Sequence, residues 1–215
     1  MTGVARNYVY ALPWLAAAIS MPVAHASEPG PAALVRALSN DVIAAIKQDR
    51  DIQAGNPKKM VELVERMIVP HVDTARMTRL AVGANWRKAT PEQQKRLAKE
   101  FTTLLVHTYS GALAAYRDQV LDVKPVRAEP GATDATVRSD VRQPGGQAIE
   151  VDYSMARTTS GWKVYDIKIG GVSLVSTYRS TFSEQVRNHG IEGLIDLVSA
   201  KNRQNSKRIA PVQSL

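Results

Sequence analysis

The sequence predicts an α+β fold: an antiparallel sheet of about four strands, covered on one face by helices. Three observations predict it. Up to about Asp118 apolar residues recur three and four apart, as one face of a helix requires. From Thr133 to Ile169 apolar and polar residues alternate, as half-buried antiparallel strands do. After Gly171 the helical spacing returns.

The elements follow in order. Pro31 to about Gln48 carries Leu34, Val35, Leu38, Val42 and Ile46 on one helical face, and Gly55-Asn56-Pro57 ends the unit. Lys58 to Val69 reads as a second short helix, stopped by Pro70. Asp73 is positioned to cap a third over Thr74 to Val82, closed by Gly83. Thr90-Pro91-Glu92-Gln93 starts a long helix with a capping residue and a proline at its first position. Leu121 to Arg127 reads as a strand, and Pro125 places it at a sheet edge. Thr133 to Arg142 and Ile149 to Met155 are two strands joined through Pro144-Gly145-Gly146, and Trp162 to Ile169 is the next. Trp162 and Val164 have the opposite parity to Ile167 and Ile169, so a bulge or two-sided burial is expected there. Leu174, Val175, Tyr178, Phe182 and Val186 mark a helix that Gly190 ends. Ile191, Leu194, Ile195 and Val198 mark the last one.

The chain ends and charge bound the class. Arg6, the apolar run Tyr8 to Ile19 and Ala24-His25-Ala26 form a secretory signal pattern, with cleavage expected after Ala26. The run is too short to span a bilayer as a helix. The organisation expected is a signal peptide over 1–26, a single domain over 27–203, and a flexible tail over 204–215. Within the domain, 31–118 is helical, 120–169 is sheet and 172–199 is helical. The absence of cysteine excludes disulfides and a lipid anchor on a cysteine. Export without a lipid anchor points to a Gram-negative periplasm. Cleavage removes Arg6 and no acid, leaving 27 of the 28 basic residues against 20 acidic ones, so +8 becomes +7. A basic exported protein finds anionic lipid surfaces more available than nucleic acid. Basic pairs such as Lys58-Lys59 and Lys95-Arg96 have no interleaved aromatics, and no nucleic-acid partner is expected.

No catalytic motif stands out. His71, His107 and His189 form no metal-binding pair of fixed spacing. Ser173 lacks the second glycine of a nucleophile elbow, and its simpler role is to cap the helix that follows. Gly170-Gly171 matches neither phosphate-binding fingerprint. What remains is a one-sided apolar sheet under helices, which either closes into a core or stays open around an apolar ligand. Pattern alone favours the closed core, because every half-buried sheet alternates in this way.

"MTRLAVGANWRKATPEQQKRLAKEFTTLLVHTYSGAL" (77–113) and "WKVYDIKIGGVSLVSTYRSTFSEQVRNHGIEGLIDLV" (162–198) closely resemble the MlaC family, also called the toluene-tolerance Ttg2 family. The resemblance runs from about Asp41 to Lys201. It implies a nuclear-transport-factor-2-like sheet with an added N-terminal helical part, and a monomer that carries phospholipid as cargo and needs no cofactor. The implied partners are the MlaD-type MCE ring of an inner-membrane ABC transporter and the MlaA-type outer-membrane lipoprotein–porin complex. Exchange between them would maintain outer-membrane lipid asymmetry. It also turns the apolar face from core into lipid site. Val137, Val141, Ile149, Val151, Tyr153, Ile167 and Ile169 are then expected to meet acyl chains from the sheet, with Leu105, Tyr109, Leu174 and Tyr178 closing from the helices. Arg138, Asp140, Glu150 and Asp152 are expected on the wet face. The rival is an isomerase or dehydratase on the same cone, which needs an acid–base pair inside it.

Overall fold

A computed structural model describes residues 29–114, 119–126, 131–143 and 145–209. The expected leader, the end of the long helix beyond 114, Arg127, Pro144 and the last residues of the expected tail lie outside the described residues.

Three helices open the described chain: α1 (Pro31–Gln48), α2 (Arg50–Gln53) and α3 (Pro57–Met67). α2 was not expected from periodicity, since one turn cannot display a period. It is defined by Asp49, whose carboxylate accepts from the N–H groups of Asp51 and Ile52 at 2.9 and 3.1 Å. A 3₁₀ turn, Val69–His71, leads into α4 (Thr74–Val82). Asp73 caps α4 as expected, accepting from the Arg76 N–H at 2.9 Å, and Gly83 closes it at φ 65°. α5 (Pro91–Ala114) begins with a reciprocal capping box. The Thr90 hydroxyl accepts from the Gln93 N–H at 3.2 Å, and the Gln93 side chain accepts from the Thr90 N–H at 2.9 Å.

The sheet is an antiparallel meander in sequence order: β1 (Val120–Val123), β2 (Asp134–Arg142), β3 (Ile149–Thr158), β4 (Gly161–Ile169) and β5 (Val172–Ser173). It therefore has five strands where about four were expected. β5 is only two residues long, and Gly170 and Gly171, at φ 55° and 80°, make the tight turn into it. β1 takes the edge, as Pro125 suggested. The parity conflict in β4 resolves as a bulge. Tyr153 pairs with Ile167, yet Met155 pairs with Val164, so β4 carries one more residue than β3 between those two pairs. Trp162, Val164, Ile167 and Ile169 all end up on one face.

α6 (Leu174–Ile209) is two helices joined at Gly190, whose φ of 69° breaks the helical run. Ser173 caps it, accepting from the Ser176 N–H at 3.0 Å. The Ser173 hydroxyl donates at 2.7 Å to buried Asp166, which also accepts from the Val175 N–H at 3.2 Å. Ser173 is thus a structural cap, fixed to β4.

The last helix corrects the sequence reading, which ended it at 199 and made 204–215 a flexible tail. It continues to Ile209. Val198, Asn202 and Ile209 keep the helical stripe, but asparagine hid it. Asn202 is buried because it donates to both the Glu100 carbonyl at 2.9 Å and the Glu100 carboxylate at 2.7 Å.

Apolar side chains gather into three separate clusters. One joins α4, α5 and α6 around Leu97, Phe101, Phe182 and Leu194. A second joins α1, α2 and α3 to α5 around Met60 and Leu63, and Ile209 packs against it. The third lies on the sheet, where Val35 of α1 covers Val123, Val137, Met155, Trp162 and Val164.

Candidate functional site: the open end of the apolar sheet face

Ladder register decides which side chains share a face. Val141–Ile149, Ser139–Val151–Ile169 and Val137–Tyr153–Ile167 are cross-strand rows of one face. Leu121 opposes Val141 in β1, and Val172 opposes Ile169 in β5, so both join that face. All seven sheet residues expected at a lipid site therefore point to the same side.

Burial changes steeply along it. Under α1, Val137 and Met155 are fully buried, and Trp162 and Val164 nearly so. Tyr153 and Ile167 are half-buried and pack against that cluster. Val141 and Val151 are half-buried, while Ile149 is 43%, Ile169 40% and Val172 62% exposed. An apolar face that is a core at one end is open at the other, and a run of aliphatic side chains left to water is the informative observation here. Val137 itself is a core residue in this arrangement.

Two polar groups interrupt the face. Ser139 is buried and donates to the Val151 carbonyl at 2.9 Å, so its hydroxyl is satisfied within the ladder. Burial pushes the Tyr153 phenol up, and its hydrogen bond with Ser139 opposes that shift.

The helical residues form a second group. The Phe101 ring meets Tyr178 edge-on at 5.0 Å and Phe182 at 5.1 Å. Leu105 and Tyr178 pack against the α4–α5–α6 cluster, and Leu174 is buried where α6 leaves β5. Tyr109 lies half-buried beside Tyr178. Burial, reinforced by Tyr109, pushes the Tyr178 phenol up to about 12, against a smaller opposing effect from a hydrogen bond with Thr108. The unfolded phenol ionises near 10.0, so this site's contribution to stability is complete below that pH and is lost as pH rises to about 12. Tyr153 is raised as well, so alkaline difference spectroscopy is expected to show late-titrating tyrosine absorbance that Tyr178→Phe reduces by one residue's share. An unchanged titration in that variant would contradict the burial.

Of the expected site residues, Val137, Tyr153 and Ile167 belong to the sheet cluster and Leu105 and Tyr178 to the helical one, so the two sides are not fused into one core. Sequence reasoning missed Leu121 and Val172. Val172 had a usable signal, since a two-residue Gly-Gly turn places it opposite Ile169 on the same face.

The opposite face is wet and charged, as expected. Arg138 pairs across the ladder with Asp152, and Asp140 with Glu150. Lys124 bridges Asp122 at 2.7 Å and Asp140 at 2.8 Å, while Arg142 meets Asp122 at 2.9 Å. That pairing lowers the Asp122 carboxyl and raises the Lys124 ammonium. Among the described residues no histidine–carboxylate group could hold a metal ion, and no helix is long and apolar enough to cross a membrane.

Comparison with known proteins agrees with this layout. A phospholipid-binding protein from Ralstonia solanacearum, solved in complex with a phospholipid, superposes with a TM-score of 0.77 at 40% sequence identity, covering 83% of this chain and 99% of that one. The toluene tolerance protein ttg2D of Pseudomonas putida is 25% identical over 158 residues, 73% of either chain. The intermembrane phospholipid transport system binding protein MlaC of Haemophilus influenzae is 20% identical over 172 residues, 79% of this chain and 80% of its own. The family profile described as MlaC protein matches residues 36–200, which include α3 to α5, the whole sheet and most of α6, so the chain belongs to the MlaC family.

Proposed function

We propose that this protein is a periplasmic phospholipid carrier whose acyl chains lie between the open end of the sheet face and helices α5 and α6. The observation that supports it most directly is the exposed band of Ile149, Ile169 and Val172, which continues an apolar face into solvent. In this reading Val141, Val151, Tyr153 and Ile167 extend the band inward with Val137 as its floor, and Leu105, Tyr109, Leu174 and Tyr178 close over the acyl chains from the helices. Family membership and the phospholipid-bound relative at 40% identity support the same reading.

The energetics suit exchange better than capture. A two-chain phospholipid carries roughly 30 methylenes, and at about 0.8 kcal/mol each they would cost about 25 kcal/mol to expose to water. The competing site is a bilayer of similar apolarity, so the protein need only match it approximately. The headgroup stays wet, because burying an unpaired phosphate is costly. In this reading the cargo passes between an outer-membrane complex of the MlaA type and an inner-membrane ring of the MlaD type, with no chemical step.

Mass spectrometry of an organic extract of the purified protein tests the proposal. Phospholipid near one equivalent is expected. A protein extracted without lipid that also takes none from vesicles would overturn it.

A further inference from the structure

A second concave surface lies elsewhere, between the end of α4, the turn Gly83–Lys88 and the middle of α6. The groove encloses about 460 Å³. Leu80, Ala84 and Trp86 give it apolar lining, while Arg79, Arg87 and Arg179 come from three elements, and among the described residues no carboxylate lines it. Arg179 donates from Nε and Nη2 to the Leu80 carbonyl at 3.2 and 3.0 Å, which pins α6 to α4 and holds the arginine at the rim. Arg79 and Arg87 are exposed, and neither guanidinium has a hydrogen bond or ion pair among the described residues.

The local charge is one-sided. Between Asp73 and Glu92 the chain has Arg76, Arg79, Arg87 and Lys88 and no acid. Among the described residues Arg76 alone of these is paired with an acid, Asp134 at 2.7 Å, and its guanidinium also stacks 3.7 Å from the Tyr165 ring centre. Three like charges around one concavity repel each other, and a partner carrying carboxylates relieves that repulsion. Trp and Arg are also the residue types that dominate binding energy at protein interfaces.

We propose that this groove is a docking site for an acidic segment of a partner protein, with an apolar side chain seated on Trp86 and carboxylates on Arg79, Arg87 and Arg179. Shape favours a protein segment over a membrane surface. A bilayer presents a plane of headgroups, which cannot enter a concavity, whereas one side chain on a flexible segment can. The proposal rests on the carrier reading, since a shuttle needs docking that is fast and reversible, and steering by exposed charge supplies that.

The test uses the full mature chain, isotope-labelled, titrated with the amidated, acetylated peptide Glu-Glu-Phe-Glu-Glu and with its lysine counterpart. The acidic peptide is expected to shift the Trp86 indole N–H resonance, and added salt should weaken the effect; the lysine peptide should not shift it. The double variant Arg79→Glu, Arg87→Glu should raise Kd at least about tenfold. Ser183→Glu, which places a carboxylate at the rim without removing an arginine, should weaken binding in the same direction. Unchanged peptide affinity in both variants overturns the proposal. So does arginine-dependent sedimentation with phosphatidylglycerol vesicles when the peptide leaves Trp86 unmoved. Extracted phospholipid should be unaltered in both variants, and its absence from the wild type would count against the carrier reading alone.

Discussion

Replacing Val151 by tryptophan is expected to cut co-purified phospholipid about tenfold, which from near-full occupancy takes at least about 1.4 kcal/mol of lost affinity. Val151 sits in the row between Ser139 and Ile169, where burial gives way to exposure along the sheet. An indole there would occupy the volume proposed for acyl chains. The fold should tolerate it. The contact that Val151 makes with Ser139 runs through its backbone carbonyl, which substitution leaves in place. Tryptophan also suits a strand, and the open end of the face leaves room for a larger side chain. The stability cost is therefore expected to be about 1 kcal/mol, toward the low end for inserting bulk into a packed site. Glu150→Trp is the matched control: one residue earlier, exposed, and on the charged face beside Asp140. It should leave lipid content unchanged. Equal lipid loss in both variants, or none in Val151→Trp, would remove the sheet face from the binding site.

That experiment turns on register, which the sequence carried only in part. The capping residues Asp73 and Thr90 were legible because a cap is a local rule, written within three residues. The two inner strands were legible for the same reason, since alternation needs no knowledge of neighbours. The β4 bulge was visible only as a conflict of parity, and the ladder was needed to show which side gave way. β5 was too short to carry a period. Asn202 broke an apolar stripe whose continuation depends on Glu100, a partner 102 residues away. The groove arginines were invisible for that reason too. Arg179 reaches the Leu80 carbonyl across 99 residues, and nothing local links them. Whether the apolar face was core or pocket is the clearest case. Val137 and Ile149 look alike in the strand pattern, yet α1 buries one and leaves the other 43% exposed. Alternation reports which face is apolar, and only the packing above it decides what is left open.

Phe101→Ala is expected to cause the largest loss of stability, about 3–5 kcal/mol. Phe101 is essentially fully buried and lies at the centre of the cluster that joins α4, α5 and α6. Its ring makes edge-on contacts with both Tyr178 and Phe182, and such pairs add about 0.5–1.5 kcal/mol beyond area burial. A loss of this size is a large fraction of the roughly 5–15 kcal/mol that holds a domain together, so urea unfolding should register it plainly. Phe101→Leu keeps most of the volume and should cost less. The variant also tests how the two halves of the proposed site depend on each other. Without the Phe101 ring, Tyr178 loses one wall of its burial, so its phenol should titrate below its native value of about 12. The sheet cluster under α1 does not include Phe101, so Val137 and Met155 should keep their protection from hydrogen exchange under native conditions. Phospholipid held only by the sheet would survive the change, whereas lipid clamped between sheet and helices should be lost with the α5–α6 packing. An alanine variant that unfolds like wild type, with Tyr178 still titrating late, would show that the aromatic cluster does not brace the helical wall.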